Sequence, residues 1–242
     1  MKKILLGAVA LVALGLAPAS AADLAARHYT KAPPMVAAIY DWTGFYIGAN
    51  GGGGWGRDRF ASNNGAIDVN TSGGFAGGQI GYNWQTGAWV LGVEADGDWA
   101  DIKGTATCAA GLGICASTAR TLASFRGRIG YAVNNVLFYG TGGAAYGDVH
   151  DTTTSIATGL PPAGATGVYN SDRWGYAAGA GIEWGFAPNW SAKVEYMHYG
   201  LGSATAPAGT LHPTLDVTSR TDIDTVKVGV NYRWGGPVIA RY

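Results

Sequence analysis

Residues 225–234 alternate strictly between apolar and polar side chains. One face carries Val226, Val228, Val230, Tyr232 and Trp234, and the other carries Thr225, Lys227, Gly229, Asn231 and Arg233. A period of two is typical of a β-strand that separates two environments. In a soluble barrel the apolar face points inward, whereas in a membrane barrel it meets lipid and ends in an aromatic girdle. The rest of the chain distinguishes the two.

Seven further segments show the same period of two. Together with 225–234, the predicted strands are 42–55, 74–84, 89–99, 121–132, 136–147, 173–186 and 190–199. The facing of strand 5 stays open, because either Phe138 with Tyr146 or Leu137 with Tyr139 can form its outward set.

The lengths of the connections indicate a topology. Short turns are predicted at 85–88, 133–135 and 187–189, and long loops at 57–71, 101–118, 148–172 and 200–221. An even number of strands, with short turns at one end and long loops at the other, is typical of outer-membrane barrels. We therefore predict an all-β fold, an eight-stranded antiparallel transmembrane β-barrel over residues 42–234.

The charged residues of the strands fall on the face opposite the Val, Ile and Trp face. A one-residue slip would expose them to lipid, at about 2–4 kcal/mol for each Arg or Lys near the midplane, so the register is strongly specified. An eight-stranded barrel is filled by its own side chains, and charges inside it need partners. We predict a lumenal ion network in which Glu94 and Asp96 pair with Arg126 and Arg128. Its predicted members are Glu94, Asp96, Asp98, Arg126, Arg128, Glu183, Lys193, Glu195, Lys227 and Arg233. A proton relay or a catalytic carboxylate pair is the less favoured interpretation of this network.

The N-terminal region has the features of an exported protein. Residues 1–21 resemble a secretory signal peptide, with Lys2 and Lys3, an apolar stretch and a small-residue cleavage site. Residues 22–41 are predicted to be a flexible periplasmic leader, and an inner plug is the less favoured alternative. No later stretch has the ~18 apolar residues of a membrane helix. The net charge of zero gives no indication of nucleic-acid binding.

The two cysteines, Cys108 and Cys115, fall in one predicted external loop. Because the chain is exported to an oxidising space, we predict a disulfide between them. Free thiols are the alternative, and a metal site is weaker because two ligands are too few.

The histidines are the candidates for chemistry. An outer-membrane enzyme needs a His with a nucleophile or an acid near the outer rim. The candidates are His150, beside Asp148 and Asp151, and then His198 and His212. They are dispersed, so we interpret them as solvated loop residues or, for His198, as an interfacial strand residue. We therefore predict no enzyme, no catalytic residue, no metal site and no cofactor. Haemin binding by His and Tyr residues and a small pore are the alternatives, and a filled lumen disfavours a wide channel.

Three segments resemble a known family: 41–48 (DWTGFYIG), 77–84 (GGQIGYNW) and 227–234 (KVGVNYRW). They are similar to the alphaproteobacterial small outer-membrane proteins of the Omp25/Omp31-like or RopB-like group, whose barrel is related to that of OmpA. The resemblance implies an eight-stranded outer-membrane barrel, reached through the periplasm, with periplasmic termini and surface-exposed loops. It also implies roles in envelope integrity, as a surface antigen, in host interaction or, for some members, in haemin binding.

We accordingly expect a non-enzymatic barrel that supports envelope integrity and displays surface loops. The expected partners are outer-membrane lipids, lipopolysaccharide and the outer-membrane assembly machinery, and the sequence does not identify an external partner. Members of this family typically end at a closing aromatic residue, whereas this chain continues through a predicted periplasmic tail at 235–242. We favour an internal assembly signal over one at Tyr242. Its predicted residues are Val228, Val230, Tyr232 and Trp234.

Overall fold

The computed structural model describes residues 40–63, 65–108, 113–155, 166–212 and 214–234. Within these ranges the chain forms eight strands. They are β1 (Gly44–Ser62), β2 (Gly65–Thr86), β3 (Trp89–Thr107), β4 (Gly113–Val133), β5 (Val136–Ser155), β6 (Thr166–Ala187), β7 (Trp190–Ala206) and β8 (Val217–Trp234). Each strand is antiparallel to its neighbour in the chain, and β1 pairs with β8, so the sheet closes into a barrel. The predicted fold is confirmed. In the described part of the chain, no helix is both long and apolar enough to cross a membrane.

The facing of the side chains follows the alternation of the sequence. In β8, Val228 is 56% exposed on the outer wall, whereas its neighbour Lys227 is 1% exposed inside the barrel. The open question about strand 5 is resolved, because Phe138 faces outward and Leu137 is fully buried. The three short turns lie where the sequence predicts them, and Gly87 and Asn134 supply positive φ angles of 61° and 55° in two of them.

Aromatic residues on the outer wall delimit the membrane-spanning part. The inner aromatic belt includes Phe45, Trp89 and Trp184, and the outer aromatic belt includes Trp55, Trp99 and Trp174. On each of the three strands these residues are ten positions apart. Ten residues of a tilted strand span a hydrocarbon band of about 25 Å. The inner belt lies at the end with the short turns, which is the periplasmic end in such barrels.

The predicted long loops are wrong in extent, because most of their residues continue the strands. The pairing of β1 with β2 runs as far as Ser62 opposite Gly65. Likewise, β3 reaches Thr107, β5 reaches Ser155 and β7 reaches Ala206. Beyond the outer belt the outer wall meets water, so polar residues lie on both faces and the period of two in hydropathy is lost. Backbone pairing does not need that period. We call the part of the barrel beyond the outer belt the extracellular extension.

Candidate functional site

The periplasmic mouth of the barrel is closed by aromatic residues that precede β1. Tyr40 and Trp42 fold into the lumen, with ring centroids 4.5 Å apart. The guanidinium of Arg233 lies 4.4 Å from the ring of Tyr40, and the Tyr40 hydroxyl donates to the carbonyl of Trp190. We call this group the periplasmic plug. It consists of Tyr40, Trp42, Val90, Leu137, Tyr139 and Arg233.

The periplasmic plug corrects two sequence predictions. The sequence predicts a flexible leader over 22–41, but Tyr40 is buried inside the barrel. Residues 22–39 lie outside the described residues, as do the signal peptide and the tail at 235–242. The sequence also predicts Arg233 as a member of the ion network. It forms no ion pair with any described residue and instead stacks on the plug, donating to the carbonyl of Pro188 at 3.3 Å.

The ion network occupies the lumen above the plug, and Arg126 lies at its centre. Its Nη2 donates to Glu94 at 2.6 Å and to Asp96 at 2.9 Å, and its Nη1 pairs with Glu195. Glu94 stands directly opposite Arg126 in the register of β3 and β4. All four side chains are almost fully buried, so each charge depends on the others for solvation.

Other charges reach across the lumen to distant strands. Arg128 donates to Glu183 on β6 at 2.8 Å, and it lies only 3.8 Å from Glu94. Lys193 on β7 donates to Glu94 at 2.9 Å. On β8, Lys227 lies 2.6 Å from Asp96 and 2.6 Å from Asp98. The nine residues of the network carry five acids and four bases, and Arg233 below them supplies the fifth positive charge.

Neutral polar residues, which the sequence does not predict as members, complete the network. Tyr46 donates to Glu94 at 2.7 Å, and the ring of Tyr139 lies 3.9 Å from the Arg128 guanidinium. A chain of amides runs from Asn50 through Gln79 to Asn231, which donates to Glu183 at 2.8 Å. The sequence indicates these residues only through the two-residue alternation of the strands, because each occupies an inward-facing position.

An apolar layer crosses the lumen above the ion network, and we call it the middle layer. Ile102, Leu122, Met197 and Leu201 are fully buried in it, and Tyr199 lies among them. Its members are Phe75, Ile102, Ala119, Leu122, Ala145, Val149, Ala177, Met197, Tyr199, Leu201 and Ile223. Because these side chains meet across the barrel around the outer belt and just beyond it, they separate the ion network from the polar side chains buried farther out.

A second polar group, which the sequence pattern does not predict, is buried inside the extracellular extension. Arg173 donates to Asp151 at 2.6 Å, to Ser219 at 2.5 Å and to Thr221 at 2.6 Å. Thr221 in turn donates to Asp58 at 2.7 Å. We call this group the upper cluster. Its members are Asp58, Ser117, Asp151, Ser171, Arg173, Ser219 and Thr221. All of these members except Arg173 lie in predicted loops, where the sequence gives no reason to expect inward-facing positions.

The cysteines lie at the outer end of the barrel. Cys108 and Cys115 form a disulfide with a Cα–Cα distance of 5.2 Å, which joins the end of β3 to the start of β4. Cys115 packs in a small apolar group with Phe60, Val69 and other residues above the upper cluster.

The histidine candidates lie apart from one another. His150 Nε2 is 3.0 Å from Asp148, whereas Asp151 faces the lumen and joins the upper cluster. His198 Nδ1 is 2.8 Å from Asp224. His212 accepts a hydrogen bond from the backbone of Thr214. Among the described residues, no three His, Cys, Asp or Glu side chains are arranged to hold a metal ion.

The chain is similar in sequence to a known family and to named outer-membrane proteins. Residues 8–233 match the family model of the outer membrane protein β-barrel domain. The 31 kDa outer-membrane immunogenic protein of Brucella melitensis is 32% identical over 97% of this chain and 100% of the relative. The 25 kDa outer-membrane immunogenic protein of Brucella abortus is 30% identical over 95% of this chain and 99% of the relative. Among solved structures, OprG of Pseudomonas aeruginosa is 9% identical, covers 79% of this chain and 97% of its own, and has a TM-score of 0.45.

The matches to the Brucella proteins confirm the resemblance to the Omp25/Omp31-like group and place the protein in the outer membrane. The chain therefore belongs to the outer-membrane β-barrel family that includes the 31 kDa and 25 kDa outer-membrane immunogenic proteins of Brucella.

Proposed function

We propose that the protein is a non-enzymatic barrel that supports the outer membrane and displays its extracellular hairpins. The observation that carries this proposal is the filled lumen. The periplasmic plug, the ion network and the middle layer follow one another along the barrel axis, and nearly all of their side chains are buried. A barrel with a filled lumen is better suited to a structural role in the bilayer than to a role as a channel.

The alternatives receive less support from the same contacts. A pore needs a continuous water path, and the middle layer offers apolar side chains across the lumen. An enzyme needs a nucleophile or a paired acid and base at one place. The imidazoles of His150 and His198 instead bind separate carboxylates on the outer wall, and the lumenal carboxylates are held by arginines and lysines.

Lipopolysaccharide stays a proposed partner, and the outer wall offers a place for its phosphate groups. Arg59 on β1 lies directly opposite Arg220 on β8, and both are exposed just beyond Trp55. Arg220 already pairs with Asp222 at 3.3 Å, so its charge is partly compensated. An anion between the two arginines would offset the repulsion that remains between like charges at facing positions of the sheet. The assembly machinery also stays a proposed partner. Its proposed signal, Val228, Val230, Tyr232 and Trp234, lies on the outer face of β8.

The proposed function is tested in cells that lack the gene. Deletion should raise sensitivity to detergent, and the intact chain should restore resistance. An epitope inserted between Ser62 and Gly65 should be labelled on intact cells, whereas one inserted between Gly87 and Ala88 should be labelled only after the outer membrane is permeabilised. Unchanged detergent sensitivity after deletion would refute the supporting role. Labelling of the insertion after Gly87 on intact cells would refute the proposal that the hairpins at the other end of the barrel face the cell exterior.

A further inference from the structure

The two buried charged groups of the barrel differ in their charge balance. In the lumen, five acids face four bases, and Arg233 of the periplasmic plug supplies a fifth. In the upper cluster, the two carboxylates of Asp58 and Asp151 face Arg173 alone. All three side chains are at most 1% exposed. With both carboxylates ionised, the upper cluster would hold an uncompensated negative charge away from water, which is strongly unfavourable.

Arg173 does not serve the two acids equally. Its Nη2 lies 2.6 Å from Asp151, whereas its Nη1 lies 4.0 Å from the nearer oxygen of Asp58. Asp58 Oδ1 is buried and has no hydrogen-bond partner among the described residues. An ionised carboxylate needs several donors to its two oxygens, whereas a protonated one needs fewer. Asp58 is therefore the acid whose charge the structure leaves poorly compensated.

A proton on Asp58 also satisfies the contacts of Ser117. The Ser117 hydroxyl oxygen lies 2.7 Å from Asp58 Oδ2 and 2.9 Å from Asp151 Oδ1. A hydroxyl has one hydrogen, so it can donate to only one of two carboxylates. If Asp58 carries a proton on Oδ2, it donates to Ser117, and Ser117 donates to Asp151. Both short contacts are then hydrogen bonds.

We propose that the upper cluster is a proton-binding site, in which the Asp58 carboxyl binds a proton that neutralises the cluster and strengthens the extracellular extension as the pH falls. The site lies three residues beyond Trp55, outside the membrane-spanning band. Burial, and then the carboxylate of Asp151, raise the pKa of Asp58 to about 6. The charged groups that face Asp58 are Asp151 from β5 and Arg173 from β6. The other strands around it present uncharged side chains, namely Val69, Ser117, Ser219 and Thr221.

The sign of the pH dependence follows from the raised pKa. Above pH 6 the folded and unfolded chains both carry an ionised Asp58, so the proton contributes nothing. Between pH 6 and the ordinary Asp value of about 4, the folded extension binds a proton that the unfolded chain does not. Protection of the extension should therefore increase about tenfold between pH 7.5 and pH 5. The proposal concerns how the pH of the surroundings affects the extracellular extension, and it does not depend on the proposed supporting role.

The direct test is carbon-13 NMR of the Asp carboxyl carbons in the full-length folded protein in detergent micelles. We expect the Asp58 carboxyl to titrate near pH 6. Titration at about pH 4, as for an ordinary Asp, would overturn the proposal. A midpoint that falls when calcium chloride is added would assign the site to a metal cation and would also overturn it. This titration needs no variant, so it decides the question even if substitutions fail to fold.

Amide hydrogen exchange gives the second test, with rates corrected for the intrinsic effect of pH. Asp58→Asn places a neutral side chain with a donor where the protonated acid would be. It should give the extension the same protection at pH 7.5 as at pH 5. Asp68→Asn is the matched control, because it removes an exposed carboxylate from the neighbouring strand; it should keep the wild-type pH dependence. A pH dependence that survives in Asp58→Asn would contradict the assignment.

Discussion

Arg126 illustrates how a buried charge is accommodated inside this narrow barrel. Its guanidinium contacts carboxylates from β3 and β7, and each of those carboxylates also pairs with a lysine. In a medium of low dielectric constant, such a network is stable only as a set, because removing one member leaves the others with an unbalanced charge. The energetic role of a single residue therefore depends on which partners stay behind.

This dependence predicts the outcome of a double-mutant cycle. Glu94→Gln and Arg126→Gln should each lower the free energy of unfolding in detergent by roughly 3–5 kcal/mol, because each leaves a buried charge without its partner. The double variant should recover part of the combined loss. Lys103→Gln is the control, since its ion pair with Asp101 is exposed and should be worth at most about 1 kcal/mol. Additive losses at Glu94 and Arg126, measured by urea titration, would indicate that the two charges are hydrated independently.

The sequence predicted which charged residues point inward but only some of their partners. Parity along each strand is local, and a slip would have placed the charges in lipid, so the inward set was well determined. The pairing of Glu94 with Arg126 was accessible because their strands are neighbours. The contact of Arg128 with Glu183 joins β4 to β6 across the lumen. Such contacts depend on the tilt and stagger of the closed barrel, which the alternation does not reveal.

The strands carry the extracellular hairpins well beyond the membrane. In β1, seven residues follow Trp55 before the strand ends at Ser62. The sequence predicts a loop from residue 57 onward, because hydropathy alternation reports on lipid contact and the extension has none. Asp58 shows the consequence, since its inward position could be recognised only after β1 was known to continue. Under the proposed function, the hairpin tips and not the outer wall are therefore the parts that would be displayed.

The disulfide should stabilise one of these hairpins. A bond between Cys108 and Cys115 closes a short loop and restricts the unfolded chain by about 2–3 kcal/mol on the entropy model. Replacing both cysteines by Ser should lower the protection of the β3–β4 end against amide exchange, and reducing the wild-type protein should have the same effect. The double variant should not respond to the reductant. Complete alkylation of the unreduced folded protein would contradict the presence of the bond.

At the scale of the whole molecule, the barrel interior consists of alternating polar and apolar layers. The periplasmic plug closes one end, the middle layer separates the two buried charged groups, and the apolar group around Cys115 covers the other end. Close packing of this kind leaves little room for water. The narrow lumen was predictable from the number of strands, whereas the order of its layers was not, because it requires the relative heights of side chains from all eight strands.

The layered interior predicts that the barrel does not conduct ions. The purified protein in a planar bilayer should give no steady conductance that scales with the amount of protein inserted. The double variant Tyr40→Ala, Trp42→Ala should have an open periplasmic mouth. It should still not conduct ions, because the ion network and the middle layer still cross the lumen. The double variant Met197→Ala, Leu201→Ala should have a thinner middle layer. The quadruple variant that combines both pairs of substitutions should conduct more readily than either double variant. Steady conductance through the wild-type protein would mean that the layers open in the bilayer. The small-pore interpretation would then replace the proposed structural role.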